Sequence, residues 1–281
     1  MTHRPIRAAV VAVALAAAAA VALPAQPAAA TVSVNTVAGW NMQGASSGGG
    51  NPNDPPSNNW ADQVVGMMTW YSVVTLQEAG AVPASARPTG RPLPGTAAVG
   101  GYAVVEYLWN RRFVYHVQVG GAGTRTNMAI VTRTQAQSVF MIPPQGARGA
   151  GRPSFGVEVQ DTDGSANTSV YWNVHAQSFG AAGAMRNDAA NIVAQIDFVM
   201  RGVGSPSWAA IGDWNRDPAT QLWPTVPLSL RVVFTGEATH FGSTQDSELD
   251  AMVTNDGNPY LHAVRAGGPL SDHSPISFST T

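Results

Sequence analysis

The chain contains no cysteine and no lysine among its 281 residues. Without cysteine it can form neither a disulfide nor a thiolate metal site. Any metal it holds is bound through oxygen or imidazole, which favours Mg²⁺, Mn²⁺ or Ca²⁺ over structural zinc. Without lysine, all 15 basic side chains are arginine. Nor is there a basic excess, the formal net charge being −2. A protein that lives on nucleic acid usually carries a basic surplus. Here any nucleic-acid contact has to come from a local arginine patch, and the overall charge by itself leans toward a small or lipid-borne phosphate substrate.

Long apolar runs are also scarce outside the N-terminus. There, Arg4 and Arg7 precede an apolar stretch at residues 8–23, and Ala28-Ala29-Ala30 supplies a small-residue cleavage site. This is the pattern of a secretory signal peptide over residues 1–30. The run is shorter than the ~20 residues a spanning helix needs. The expectation is a secreted, extracellular protein that begins at Thr31 and has no transmembrane segment. Cleavage would remove two arginines and no acid, leaving 13 Arg against 17 Asp and Glu, a net charge of −4. Hydrophobic residues make up 44% of the chain, enough for one large core or two small ones. With no internal repeat and no linker long enough to divide it, residues 31–281 read as one domain.

Apolar or β-branched runs at residues 32–40, 71–76, 102–108, 113–119, 128–132, 208–211, 231–234, 250–253 and 276–278 read as strands. Residues 155–159 and 169–174 read as a strand pair turning at Asp163-Gly164. Gly/Pro-rich loops are expected at 44–59, 83–101 and 143–153. A helix follows Asn58 or Asn59 as cap, with Trp60, Val64, Met67 and Met68 near helical spacing. The clearest helix covers 184–201, where Met185, Ala189, Ile192, Val193, Ile196, Val199 and Met200 form one apolar stripe. Strands dominate, which fits two sheets sandwiched between helices better than a parallel doubly wound sheet.

Polar clusters stand where these strands open onto loops. Glu78 follows Val73-Val74-Thr75-Leu76-Gln77; alone it is a solvated strand end, but in company such a carboxylate holds a hard cation. Asp213 and Asn215 follow Ala209-Ala210-Ile211-Gly212. Two apart on extended backbone, they point the same way and together can grip a metal or a phosphate; the plainer alternative is an Asx turn before Pro218. In Asp272-His273 the carboxylate can ligate metal while the imidazole moves a proton. Asp250, after Leu249, is the candidate that orients this ring, and a capped turn before Pro275 is the competing explanation. His175 ends the run at 169–174, and by itself would be structural. His3, His116, His240 and His262 lack such context and read as surface or packing residues.

In chain order, Trp40-Asn41-Met42-Gln43-Gly44, Gln77-Glu78-Ala79-Gly80, Arg125-Thr126-Asn127-Met128, Val174-His175-Ala176, Arg186-Asn187-Asp188, Gly212-Asp213-Trp214-Asn215-Arg216-Asp217-Pro218, Leu249-Asp250 and Ser271-Asp272-His273 resemble the endonuclease/exonuclease/phosphatase superfamily. More narrowly, they are similar to the family of the catalytic B subunit of cytolethal distending toxin, over residues 31–281. The resemblance implies an α/β (α+β) four-layered sandwich of two mainly antiparallel sheets flanked by helices, the DNase I-like fold. It implies a toxin-like, metal-dependent hydrolase using Mg²⁺ (or Mn²⁺ or Ca²⁺), with Asn41, Glu78 and Asp272 at the metal. It implies His175, His273, Asp250, Asp213 and Asn215 as catalytic residues, and Arg125, Arg152 and Asn215 as phosphate contacts. DNA is the implied substrate, and delivery subunits not encoded in this chain are the implied partners. A phosphoinositide phosphatase on the same scaffold, or an inactive effector module, stays open as an alternative.

Overall fold

In this computed structural model, which describes residues 31–44, 46–47, 57–120, 125–145, 151–178, 188–204, 207–242, 245–267 and 271–280, the apolar runs assort into two large sheets. The first begins with β1 (Val37–Asn41), β2 (Val73–Gln77), β3 (Tyr102–Trp109), β4 (Arg112–Val117) and β5 (Met128–Thr132). The second comprises β6 (Ser138–Ile142), β7 (Ser154–Gln160), β8 (Thr168–His175), β9 (Ser207–Asp213), β10 (Arg231–Val233) and β11 (Asp250–Thr254). The chain then returns to the first sheet with β12 (Leu261–Arg265) and β13 (Ile276–Thr280). The first sheet runs β12-β13-β1-β2-β5-β4-β3, with two-residue strands Arg87–Pro88 and Ala98–Val99 pairing on β3. The second runs β6-β7-β8-β9-β11-β10. Both sheets are mainly antiparallel, with one parallel pair at the centre of each, β1 with β2 and β8 with β9.

Every residue of β1, β2, β5 and β9 is buried, which explains why these strands read as unbroken apolar runs rather than alternating ones. Their inner faces form one core between the sheets, including Tyr115, Ile130, Phe155, Tyr171, Ile211 and Phe278. On the outer face of the first sheet, Trp40, Val74, Leu76 and Val131 pack against Trp60, Val64, Met67 and Met68. Those four lie on a π-helical turn, Trp60–Val64, leading into helix α1 (Val65–Trp70). Asn58 caps this segment, its Oδ1 accepting the Ala61 N–H at 3.2 Å. On the outer face of the second sheet, Trp172, Val174, Ala210 and Val253 pack against Ile192, Val193, Ile196 and Met200 of helix α2 (Asp188–Gly202). The result is the four-layered sandwich expected from the resemblance. No helix among the described residues is long and apolar enough to cross a membrane.

Some elements differ from the sequence expectation. The run at 32–40 is not one strand: Val32–Val34 is a 3₁₀ turn and the ladder begins at Val37. Asn35 between them donates to Asp161 and accepts from Ser72 through its side chain, local bonding that competes with a ladder. β6 and β12 were not expected. β6 is a short apolar run set directly against Pro143-Pro144, and β12 is an edge strand with exposed residues among its buried ones. The signal-peptide segment and the first four residues of the helix expected at 184–201 lie outside the described residues.

The registers aim the strand ends. In the parallel pair β8/β9, His175 stands opposite Asp213. In β9/β11, Asp213 stands opposite Asp250. Across the sandwich, Gln77 donates to Asn173 Oδ1 at 2.7 Å, and Asn173 donates to the Leu76 and Ala129 carbonyls. These bonds lock the two sheets together one residue from Glu78. Gly212 is required at this crossing. A Cβ there would lie 2.0 Å from the Val174 carbonyl oxygen and 2.8 Å from Gln77 Nε2, at a φ of +151°. Gly212→Ala is therefore expected to destabilise the fold by about 3 kcal/mol, read from the urea midpoint; an unchanged midpoint would show that the two sheets can part there without cost.

Candidate active site

The central strands of both sheets deliver polar side chains to one place. Asn41 ends β1, Glu78 follows β2, His175 ends β8, Asp213 ends β9 and Asp250 opens β11. Asp272 and His273 stand just before β13. Asp213 is the hub. Its Oδ2 accepts from Asn41 Nδ2 at 3.1 Å and lies 3.5 Å from His175 Nε2 and 3.8 Å from His273 Nε2. Its Oδ1 accepts the Asn215 N–H at 2.8 Å, while the Asn215 amide donates to the Ala176 carbonyl. His175 Nε2 is also 3.8 Å from Glu78 Oε1. His273 is held at its other nitrogen, Nδ1 meeting Asp250 Oδ2 at 2.8 Å. Asp272 joins through His273, its Oδ1 being 4.0 Å from Nε2.

Glu78 and Asn215 both adopt left-handed backbone, each with φ near +49°. Such non-glycine conformations cost energy and gather at functional sites. Arg125 Nε donates to Glu78 Oε2, and Arg152 lies close enough for Glu78 and Asp213 to act on its charge. The structure thus brings together all the residues singled out from sequence. Arg125, the expected phosphate contact, is paired with Glu78.

No family model matches the chain. A homolog of the cytolethal distending toxin B subunit from Salmonella typhi is 30% identical over 268 residues, which is 89% of this chain and 91% of that protein. The chain belongs to the family of the cytolethal distending toxin B subunit. Among solved structures, the Haemophilus ducreyi cytolethal distending toxin matches with a TM-score of 0.70 at 26% identity, covering 89% of this chain and 99% of that one. An endonuclease/exonuclease/phosphatase family protein from Leptotrichia buccalis C-1013-b shares the fold at a TM-score of 0.57 and 11% identity, covering 88% and 99%. As a member of the toxin's B-subunit family, the chain is a phosphoester hydrolase on a DNase I-like sandwich.

Electrostatics set the two imidazoles of this family member apart. Burial holds His175 well below its ordinary pKa, and the positive charges of Arg152, His273 and Arg125 push the same way. Burial alone would lower His273 too, but the Asp250 charge and hydrogen bond, with Asp213 and Asp272, outweigh it and raise it to about 9. Burial pushes Asp213 up to about 6; the His273 charge opposes this, Asp250 adds to it, and hydrogen bonds from the Asn215 N–H and the Asn41 amide work against it. The two rings that flank Asp213 are therefore pushed in opposite directions.

Glu78, Asn41 and Asp272 offer only oxygen donors, the chemistry of a hard divalent cation. Asp272 Oδ1 is buried without a hydrogen-bond partner among the described residues, so the set fits such an ion once Arg125 releases Glu78. Two neighbours of the site were not foreseen from sequence. Gln43 holds both sides of it, its N–H donating to Asn41 Oδ1 and its Oε1 accepting the Asp272 N–H. His240, expected at the surface or in packing, packs against His273 at the site, the rings tilted by 57° with centroids 4.8 Å apart. No sequence pattern marks it: the contact is made by a bridge between segments 33 positions apart, His240 with His273.

Proposed function

We propose that the protein is a secreted, divalent-metal-dependent endonuclease that hydrolyses DNA phosphodiester bonds. The observation that carries this reading is the convergence of two buried imidazoles on Asp213, one of them fixed by Asp250, beside an all-oxygen donor set and two arginines. Glu78, Asn41 and Asp272 would hold Mg²⁺ or Mn²⁺, which would neutralise the charge that builds on the phosphate. Asp213 and Asn215 align the attacking water and the phosphate. His175 and His273 serve as the proton-transfer and charge-stabilising groups, with Asp250 keeping the second ring in place. Arg152, and Arg125 on leaving Glu78, bind phosphate oxygens as forks. Conversion of supercoiled plasmid to open circles by the purified chain tests the reading; no conversion with Mg²⁺, Mn²⁺ or Ca²⁺ would reject it.

A phosphoinositide phosphatase is the second reading. It is favoured by the acidic overall charge, and Arg125 and Arg152 near the site allow it. In either case the chain acts as a toxin-type subunit with delivery partners encoded elsewhere. Secretion is expected to release a protein starting at Thr31, as a single 31–281 domain. Intact-mass measurement on secreted material checks this, and residues 1–30 still attached would contradict it.

A further inference from the structure

A second group of ligating atoms overlaps the hydrolytic residues at Asp272 and His273 and adds His240, which has no part in the chemistry above. The segment around His240 is tied to Asp272-His273 by main-chain bonds. Phe241 N–H donates to the Asp272 carbonyl at 2.7 Å and Ser274 N–H to the Thr239 carbonyl at 2.8 Å, so the two rings face each other across an antiparallel bridge. Asp272 reaches both: its Oδ2 is 3.9 Å from His240 Nε2, and its Oδ1 is 4.0 Å from His273 Nε2. One nitrogen from each ring and one carboxylate oxygen fall within 4.8 Å of one another. We propose that His240, Asp272 and His273 bind a transition-metal ion of the zinc class, and that this ion switches hydrolysis off by occupying Nε2 of His273.

The donor chemistry separates this site from the oxygen-only set. Two imidazoles and a carboxylate, with a position left for water, suit Zn²⁺ or Co²⁺ and discriminate against Mg²⁺ and Ca²⁺. His273 is already oriented to ligate. Asp250 takes its Nδ1 and leaves Nε2, 3.8 Å from Asp213, as the nitrogen that ligates once a metal displaces its proton, the carboxylate–histidine–metal arrangement that fixes a ligating ring. Ligand atoms on a tetrahedral zinc with bonds of about 2.0 Å lie about 3.3 Å apart, so separations of up to 4.8 Å need to close by up to about 1.5 Å. His240 Nδ1 and Asp272 Oδ1 are both buried without a hydrogen-bond partner among the described residues, so neither atom gives up a bond when its side chain turns, whereas His273 Nε2 exchanges its 3.8 Å approach to Asp213 for the metal. The His240 and Asp272 side chains are 26% and 30% exposed, which lets an ion enter from solvent.

Binding at these three residues stands independently of the nuclease reading, whereas inhibition rests on it. Calorimetric titration of ZnCl₂ into the full chain, with Mg²⁺ in excess, is expected to show one equivalent bound at micromolar or lower concentration. CoCl₂ should give the visible absorption of a tetrahedral site. His240→Gln and His240→Ala are each expected to weaken zinc binding at least tenfold. On plasmid, both variants should nick at close to the wild-type rate without zinc and need at least tenfold more zinc for half-inhibition. Absence of binding by the wild type, or equal binding by a folded variant, would overturn the site. Zinc that binds at His240 yet leaves wild-type nicking unchanged would overturn the inhibitory half. If the wild type nicks no DNA at all, that failure belongs to the nuclease reading, and calorimetry alone decides the metal site.

Discussion

His273→Ala and His175→Ala are each expected to lower kcat for phosphodiester hydrolysis by about 10²-fold or more, the usual scale for a positioned proton-transfer group. Both rings are buried and both aim Nε2 at Asp213, from 3.8 and 3.5 Å, so water cannot take their place without rearrangement. The double variant should lose less than the product of the single losses, since groups acting as a unit are not additive. Stability needs a separate control at His273. Its removal leaves Asp250 buried, with Oδ2 stripped of its imidazole partner and Oδ1 already without one, at a cost of about 1–3 kcal/mol. Asp250→Asn keeps the shape, removes that charge and should behave as a weaker His273→Ala. Turnover of His273→Ala within threefold of wild type, in a folded protein, would show that the ring is structural.

Chelation is expected to abolish turnover completely, and Mg²⁺ or Mn²⁺ to restore it. The electrostatic reason is local. Glu78, Asp213 and Asp250 are all buried, and Asp272 stands beside them half-buried, so a phosphate entering the site meets several carboxylates. Arg125 is taken up by Glu78, and burial pulls Arg152 below its ordinary range with Glu78 and Asp213 opposing that. Without a cation the anion is repelled more than it is held. Glu78→Ala should mimic chelation at ordinary ion concentrations and be partly rescued by excess Mn²⁺. Full hydrolysis in excess EDTA would mean the carboxylates work without a metal.

Much of this was legible in the sequence because the informative strands are buried on both faces. Runs such as Met128-Ala129-Ile130-Val131-Thr132 announce a central strand whatever follows, and a polar residue ending such a run is conspicuous. Glu78, His175, Asp213 and Asp272-His273 were found in that way, their order along the chain carried the resemblance, and Asn41 entered through that resemblance. What stayed hidden depends on contacts between distant segments. β6 and β12 draw their stability from neighbours rather than from their own pattern. His240 reaches His273 only because Thr239 and Phe241 bond to the chain around Asp272 and Ser274. The commitment of Arg125 to Glu78, 47 residues apart, is likewise a product of the fold, since either residue alone reads as a ligand waiting for its partner.

The most direct test sets DNA and lipid against each other on one preparation. Plasmid nicking and phosphate release from phosphoinositide vesicles are measured side by side, in Mg²⁺ and then in EDTA, for wild type and His273→Ala. The account predicts Mg²⁺-dependent nicking that EDTA stops and His273→Ala reduces about 10²-fold or more, with phosphoinositide turned over more slowly. Phosphate release that exceeds nicking and shows the same dependence on Mg²⁺ and His273 would contradict the assignment of DNA as substrate while leaving the site intact. Activity on neither substrate by a folded wild-type protein would contradict the account itself.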